Sequence, residues 1–337
     1  MDWSKGYRAS YYMTIVDRST MRDVDRIELI SGSIKRSLTD LRESATLDCK
    51  EYDSKTEQLI RVWLDTKQEG GSSHTPLFTG LATSPDKKYT GRKKSNTLEC
   101  YSVLKFAEDV MLPRGWYAPI EANGGSLIRD LLQVIGLPRG YLTIAENAPA
   151  LSQSIIAESG ENHLSMVDQI LTAMNWRMKL DGLGRISIGP VSSEEVARFD
   201  ANDNDIIETE ISISYDWYSA PNVLRCTLDD AYAEARDEDP NSPLSIQNRG
   251  REVWYQDEDV SLTQNETLAE YTQRMLKEYQ KLATNVSYTR RFVPGVYPGD
   301  VVRISYPAQE VNGRYLISEQ SLSLGYNCRT SEEVIQV

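Results

Sequence analysis

The sequence predicts a mainly β protein with an α insert (α+β), in which two small β-barrel domains are separated by a small helical domain. Three observations carry this reading. Apolar and polar residues alternate with period two, between turn signals, over residues 11–110 and again from residue 211 onward. Two stretches between them place apolar residues at helical spacing. The last β stretch holds two strong turn signals, Pro298-Gly299 and Asn312-Gly313. The expected domains are 1–118, a β-barrel; 119–205, a helical insert with a β-hairpin; and 206–337, a second β-barrel with a covering helix at about 264–284.

In the first β stretch, strands are expected at residues 11–16 and 27–34, followed by a polar segment over 35–43. Ala45, Leu47 and Cys49 then alternate with polar neighbours, as do Ile60, Val62 and Leu64. Gly70-Gly71-Ser72-Ser73 reads as a hairpin tip. Residues 77–82 and 96–104 complete about six strands, enough to close a small barrel. Residues 87–94, KKYTGRKK, form a basic loop in an acidic protein. It reads as a solvated hairpin tip or as a docking patch for an acidic neighbour.

After an irregular stretch at 113–123, Ser126 can cap a helix whose Leu127, Ile128, Leu131, Leu132 and Ile135 share a face, stopped by Gly136 and Pro138. Ser165 can cap a second helix with Met166, Val167, Ile170, Leu171 and Met174 on one stripe, which reads as core. Residues 176–188 follow as a hairpin about Asp181-Gly182-Leu183-Gly184. Residues 200–205, DANDND, match the first calcium-loop ligands but lack the required Gly and the closing Glu, so they read as a solvated linker and domain boundary.

In the second β stretch, Ile211, Ile213 and Tyr215 alternate, then Leu224, Cys226 and Leu228. The acidic run at 229–239, with Asp229, Asp230, Glu234, Asp237, Glu238 and Asp239, reads as solvated charge. Thr263 and Glu266 have capping-box spacing before a helix with Leu268, Tyr271, Met275, Tyr279 and Leu282 on one stripe. Glu270, Arg274 and Glu278 stand four apart on its outer face as mutual ion pairs. Such a helix could cover an open barrel edge. The closing meander has Pro298-Gly299-Asp300 as a type II turn, Val302 and Ile304 facing one way, Asn312-Gly313 as a type I′ turn, then Tyr315 and Ile317.

Composition excludes several classes. The net charge of −13 argues against specific nucleic-acid binding and against an anionic membrane surface. No apolar run reaches the ~20 residues of a membrane span and no signal peptide opens the chain, so synthesis and folding in a cytosol are expected. Cys49, Cys100, Cys226 and Cys328 form no C-x-x-C pair and read as buried thiols. With only His74 and His163, histidine-based triads and metal sites lose their ligands. Phosphate-loop, dinucleotide, H-E-x-x-H and G-x-S-x-G motifs are absent, so no enzyme, cofactor or metal is expected. The 19 tyrosines against 4 phenylalanines suit interfaces, where one end of the ring stays wet.

The closing stretch also carries a family likeness. Pro294-Gly295 and Pro298-Gly299-Asp300, then Val302-Arg303-Ile304, then Asn312-Gly313-Arg314-Tyr315-Leu316-Ile317, resemble the closing module of phage tail baseplate hub proteins of contractile tails and tailocins. The two-helix insert with its terminal hairpin fits that family too. The resemblance implies two similar barrels, a homotrimer forming a pseudo-sixfold ring, and a channel that passes DNA or tape measure protein. It implies contacts with the tail tube protein, the central spike protein and other baseplate proteins, in a virion assembled in the host cytoplasm. The acidic residues from Asp229 to Asp239 are then candidates for channel or rim. Two features depart from the family's pattern: no lysozyme or peptidase extension is read, so a cell-wall activity is expected from a partner, and no long C-terminal fibre repeats are read. Two other readings stay open: a tail-tip receptor- or carbohydrate-binding module with Tyr215, Trp217 and Tyr218 as an aromatic platform, and a tail-associated peptidoglycan hydrolase.

Overall fold

The computed structural model describes the whole chain except residues 1, 4, 51, 54, 92, 202–206, 259, 261, 263–265 and 282. The first lobe consists of β1 (Arg8–Asp17), β2 (Arg22–Ser37), β3 (Glu43–Cys49), β4 (Gln58–Gln68), β5 (Gly71–Thr90) and β6 (Lys93–Ser102). They pair in the order β1-β4-β5-β6-β3-β2, every pair antiparallel, and a β1–β2 ladder closes the ring. The inward phase of the alternation fills it: Met13, Ile34, Leu47, Ile60, Val62, Leu64 and Phe78 are fully buried. Each such side chain contributes about 1.5–3 kcal/mol.

The insert holds α1 (Lys105–Glu108), β7 (Tyr117–Ala118), α2 (Gly124–Leu132), β8 (Leu142–Ile144), β9 (Ile155–Ile156), α3 (His163–Met174), β10 (Trp176–Leu180) and β11 (Ile186–Pro190). Its helices pack Ile128 and Leu131 against Val167 and Ile170, and the same core takes in Val16, Met21 and Leu59 from one end of the barrel. The caps fall three residues before the predicted serines. Asn123 accepts from Ser126 N at 2.9 Å and Asn162 from Ser165 N at 2.8 Å.

The second lobe comprises β12 (Glu195–Asp200), β13 (Ile207–Tyr215), a small module, and four closing strands. The module is β14 (Val223–Leu228), β15 (Ala231–Arg236), α4 (Ile246–Arg249), β16 (Trp254–Asp257) and α5 (Leu268–Lys281). The closing strands are β17 (Thr284–Arg290), β18 (Val301–Tyr306), β19 (Val311–Ser323) and β20 (Thr330–Gln336). The six sheet strands pair in the order β12-β18-β19-β20-β17-β13. Counted from the start of each lobe, this is the order of the first: strand one, four, five, six, three, two. The bulges correspond as well, between Ala82 and Ser84 on β5 and between Ile317 and Glu319 on β19. Two pairings differ: β12 runs parallel to β18 where β1 runs antiparallel to β4, and among the described residues no β12–β13 ladder matches the β1–β2 ladder that closes the first lobe. β12 lies in the stretch that the sequence assigns to the insert, yet it pairs with the second lobe.

Three sequence expectations are corrected. The helix at 264–284 forms as α5, but Tyr271 and Leu276 pack on Leu224, Cys226 and Ala235 of the β15-β14-β16 sheet, not along a barrel edge. Its capping box is Thr267 and Glu270, with Glu270 N donating to Thr267 Oγ1 at 3.3 Å. Arg274 pairs with Glu266 at 2.8 Å instead of forming a ladder with Glu270 and Glu278. Of the residues named earlier, Thr263, Leu282, Asn202, Asn204 and Asp205 lie outside the described residues.

Candidate assembly interface

The two lobes meet edge to edge. β19 extends past β18, and its end pairs with β2 in the register Glu319↔Ser37, Gln320↔Arg36, Ser321↔Lys35, Leu322↔Ile34 and Ser323↔Ser33. Twelve strands therefore form one continuous sheet. Alternation assigns its two sides. Ile34, Arg36, Gln320 and Leu322 are buried, while Ser33, Lys35, Ser321 and Ser323 face outward. The outward row crosses the junction as Thr289, Ser331, Ser321, Lys35, Ser44 and Tyr101, mostly small hydroxyl side chains.

Beneath the junction runs a buried polar chain. Arg36 Nη1 donates to Gln320 Oε1 at 2.7 Å, and Gln320 Nε2 donates to Glu332 Oε1 at 2.7 Å. Arg290 Nε and Tyr288 Oη both donate to Glu332 Oε2, at 2.8 and 2.7 Å. Burial works against the charge on Arg290, but Glu332 outweighs it and raises the guanidinium pKa. Arg36 Nε lies 2.9 Å from Glu43 Oε1, yet its N–H is not aimed at the oxygen, so neither Glu43 oxygen receives a hydrogen bond. Burial accordingly pushes the Glu43 carboxyl up to about 8, against the opposing pull of Arg36.

The turn at residues 297–300 locks this junction to the insert. Asp300 N donates to Tyr297 O at 3.1 Å and Gly299 has φ +89°, the type II geometry the Pro-Gly pair predicts. Asp300 accepts from Tyr297 N at 2.9 Å and from Lys179 Nζ of β10. Asn312 and Gly313 do not make the hairpin turn. They stand inside β19, opposite Ser305 and Ile304, and the chain reverses at Pro307–Gln309 with Glu310 left-handed. Pro307 presets the φ that the reversal needs, so the turn forms before the Asn-Gly pair is reached.

The acidic run is not one loop. Asp229 and Asp230 make the tight turn between β14 and β15. Glu234 accepts from Arg225 Nε at 2.9 Å, and Asp237 is buried, accepting from Ser242 and Gln280 at 2.6 and 2.9 Å. Asp239 accepts from Asn241 N at 2.9 Å, and Glu238 is exposed. All sit on the small module. Of the carboxylates on the twelve-stranded sheet, Glu208, Glu210, Glu319 and Glu333 line a groove of 480 Å³. Glu319 and Glu333 stand directly opposite each other across β19 and β20.

Sequence reasoning missed Arg36, Glu43, Arg290, Gln320 and Glu332. Their signal is phase: Glu332 lies between Thr330 and Val334 on the inward positions of β20. Tyr215, Trp217 and Tyr218 prove exposed, by 53%, 58% and 83%, and the first two line a 550 Å³ groove with Leu244 and Lys277. The four cysteines are buried and unpaired. Among the described residues, no cluster of three metal-ligating side chains forms and no helix is long and apolar enough to cross a membrane.

No family model matches the sequence, and no curated protein matches it. Solved structures do match over the whole fold. A tail protein from Neisseria meningitidis MC58 aligns with TM-score 0.70 at 14% identity, covering 98% of this chain and 97% of that one. The 43 kDa tail protein of prophage MuSo2 from Shewanella oneidensis aligns with TM-score 0.69 at 12% identity, covering 97% and 96%. An E. coli component of the type VI secretion system, described as structurally similar to T4 bacteriophage tail proteins, aligns with TM-score 0.55 at 8% identity, covering 92% and 74%. The two lobes on one sheet, with a helical insert packed against the first, are the fold of phage tail proteins.

Proposed function

We propose that this chain is a structural, non-catalytic hub of a phage or phage-like contractile tail, a homotrimer whose six lobes form a pseudo-sixfold ring. The ring joins the tail tube protein to the central spike protein and leaves a channel for DNA or tape measure protein. It works in the virion baseplate, beside other baseplate proteins, after assembly in the host cytoplasm. One observation carries this reading: each chain holds two lobes of the same strand order, fused through β2 and β19. Three chains so built offer six near-equivalent positions, which a pseudo-sixfold ring requires. The similarity to tail proteins supports it. The outward sheet face, rich in hydroxyls and carrying Glu210, Glu319 and Glu333, suits a channel wall that repels polyanions. Mass measurement of the purified protein, followed by cryo-EM of particles, tests the reading. A particle of three 38.2 kDa chains with an acidic lumen is expected, and a basic lumen would reject the assignment of the wall.

A second reading rests on the exposed Tyr215 and Trp217, whose rings lie 5.3 Å apart beside Leu244 and Lys277. This is a platform suited to sugar or peptide. Glycan-array binding by the isolated chain, without trimers, would favour a receptor-binding module. Clearing in a peptidoglycan zymogram would favour a hydrolase over both.

A further inference from the structure

The likeness of the lobes extends to single residues. In the first lobe one row of paired residues runs Ile34, Ala45, Cys100, Ala82. In the second the corresponding row runs Ile213, Val286, Val334, Ile317. Each row ends one residue before the shared bulge. β5 and β19 are then equivalent beyond the bulge too, and so are β2 and β13.

One half of this equivalence is satisfied within the chain and the other is open. Past its bulge, β19 gives its free edge to β2. Past its own bulge, β5 continues to Thr90, and there the only ladder among the described residues is the one to β6. β13 likewise pairs only with β17 among the described residues. The part of β5 whose other edge is open belongs to the basic hairpin, with Asp86, Lys87, Lys88 and Tyr89 all exposed. The neighbourhood of β13 is acidic, with Glu208 and Glu210.

We infer that the end of β5 in one copy pairs with β13 of a second copy, repeating between chains the β19–β2 contact made within each chain. This rests on the ring reading above. Carrying the register over from Leu322↔Ile34 and Ser323↔Ser33 places Lys87 opposite Ile213 and Lys88 opposite Ser212. Lys88 then lies diagonal to Glu210, within reach of a cross-strand ion pair. Free edges with unlike charge pair with each other and not with themselves, so the contact is heterologous, as a ring needs. Pro85 adds no N–H to either edge, which limits pairing by unrelated strands.

The test is a cysteine cross-link in the full-length chain, whose four native cysteines are buried. Lys88→Cys with Ser212→Cys puts two thiols on directly opposed, outward positions, where Cβ separations suit a disulfide. Lys88→Cys with Ser331→Cys places the second thiol two strands away. Oxidised at high protein concentration, the first pair should give at least tenfold more covalent dimer and trimer than the second. In the unmodified trimer, the β13 amides should exchange at least tenfold more slowly than in dilute monomer. Trimers without either effect overturn the strand contact and leave the ring standing. Equal cross-linking by both pairs overturns the register. A chain that stays monomeric at every concentration overturns the ring and the contact together.

Discussion

Asp300 and Lys179 are bonded across 121 residues of sequence, so the closing turn of the second lobe is tied directly to the hairpin of the insert. The same carboxylate caps Tyr297 N, and it is 7% exposed while Lys179 is 35% exposed. Asp300→Ala should cost about 2–3 kcal/mol, because a buried N–H loses its acceptor as well as the ion pair. Asp300→Asn keeps an acceptor and should cost about 1 kcal/mol, and Lys179→Met, at the wetter end, about 1 kcal/mol or less. Urea midpoints check the order. Equal losses in all three would mean that the ion pair, and not the cap on Tyr297 N, carries the contribution; no loss in any would mean that the turn is held by its backbone alone.

Arg290 and Glu332 are both fully buried, so neither charge can turn to water if its partner is removed. Glu332→Ala should cost about 3–5 kcal/mol, since it strands the guanidinium and takes the acceptor from Tyr288 and Gln320. Arg290→Met with Glu332→Leu should lose less than the single change. A double-mutant cycle measured by chemical denaturation checks this, and strict additivity would refute the coupling.

Glu43 gives the protein a pH dependence opposite to that of an ordinary paired carboxylate. Its folded-state pKa, about 8, lies above the usual 4.5, so the unfolded chain loses this proton first. The group stabilises the fold fully below about 4.5, and that contribution drains away as pH rises towards 8. Relative to Glu43→Gln, the native chain should lose stability between pH 5 and pH 8.5, by an amount on the order of a few kcal/mol. Thermal midpoints of both proteins at three pH values would show it. A native chain that gains on the variant over this range would reverse the assignment.

The balance of what was legible follows from the same residues. Period-two runs and the Pro298-Gly299-Asp300 turn were readable, because alternation and a fixed φ are local properties. Asn312-Gly313 misled because a turn preference yields when Pro307 reverses the chain earlier. The segment at 35–43 read only as polar, but Arg36 and Glu43 sit inward where β19 pairs with β2, and Arg36 bonds a residue 284 positions away. The stripe of α5 revealed that the helix packs but not on what, since any apolar sheet face accepts it. The repeat was invisible to composition. Ala45 and Val286 share a position without sharing a residue, and only pairing aligns them.

Gly182 marks where the insert touches the first barrel most closely. Its carbonyl accepts from Thr79 Oγ1 at 2.8 Å, and a Cβ there would stand 2.0 Å from Pro76 O of β5. The obstacle is backbone on both sides, so no rotamer change relieves it. Gly182→Ala should therefore lift the hairpin tip from β5, losing the Thr79 bond and the bond from Arg61 Nη2 to Leu183 O, and cost about 2–4 kcal/mol. Gly189, on the other strand of the same hairpin, is the control. A Cβ there would meet only the Ala145 methyl at 3.5 Å, an ordinary contact, so Gly189→Ala should stay within about 0.5 kcal/mol. Hydrogen exchange locates the damage: amides of residues 181–185 should exchange faster in Gly182→Ala, while those of β14 and β15, in the separate module, should not change. Uniform acceleration across the chain would mean that the hairpin is part of one cooperative unit and not a docked element.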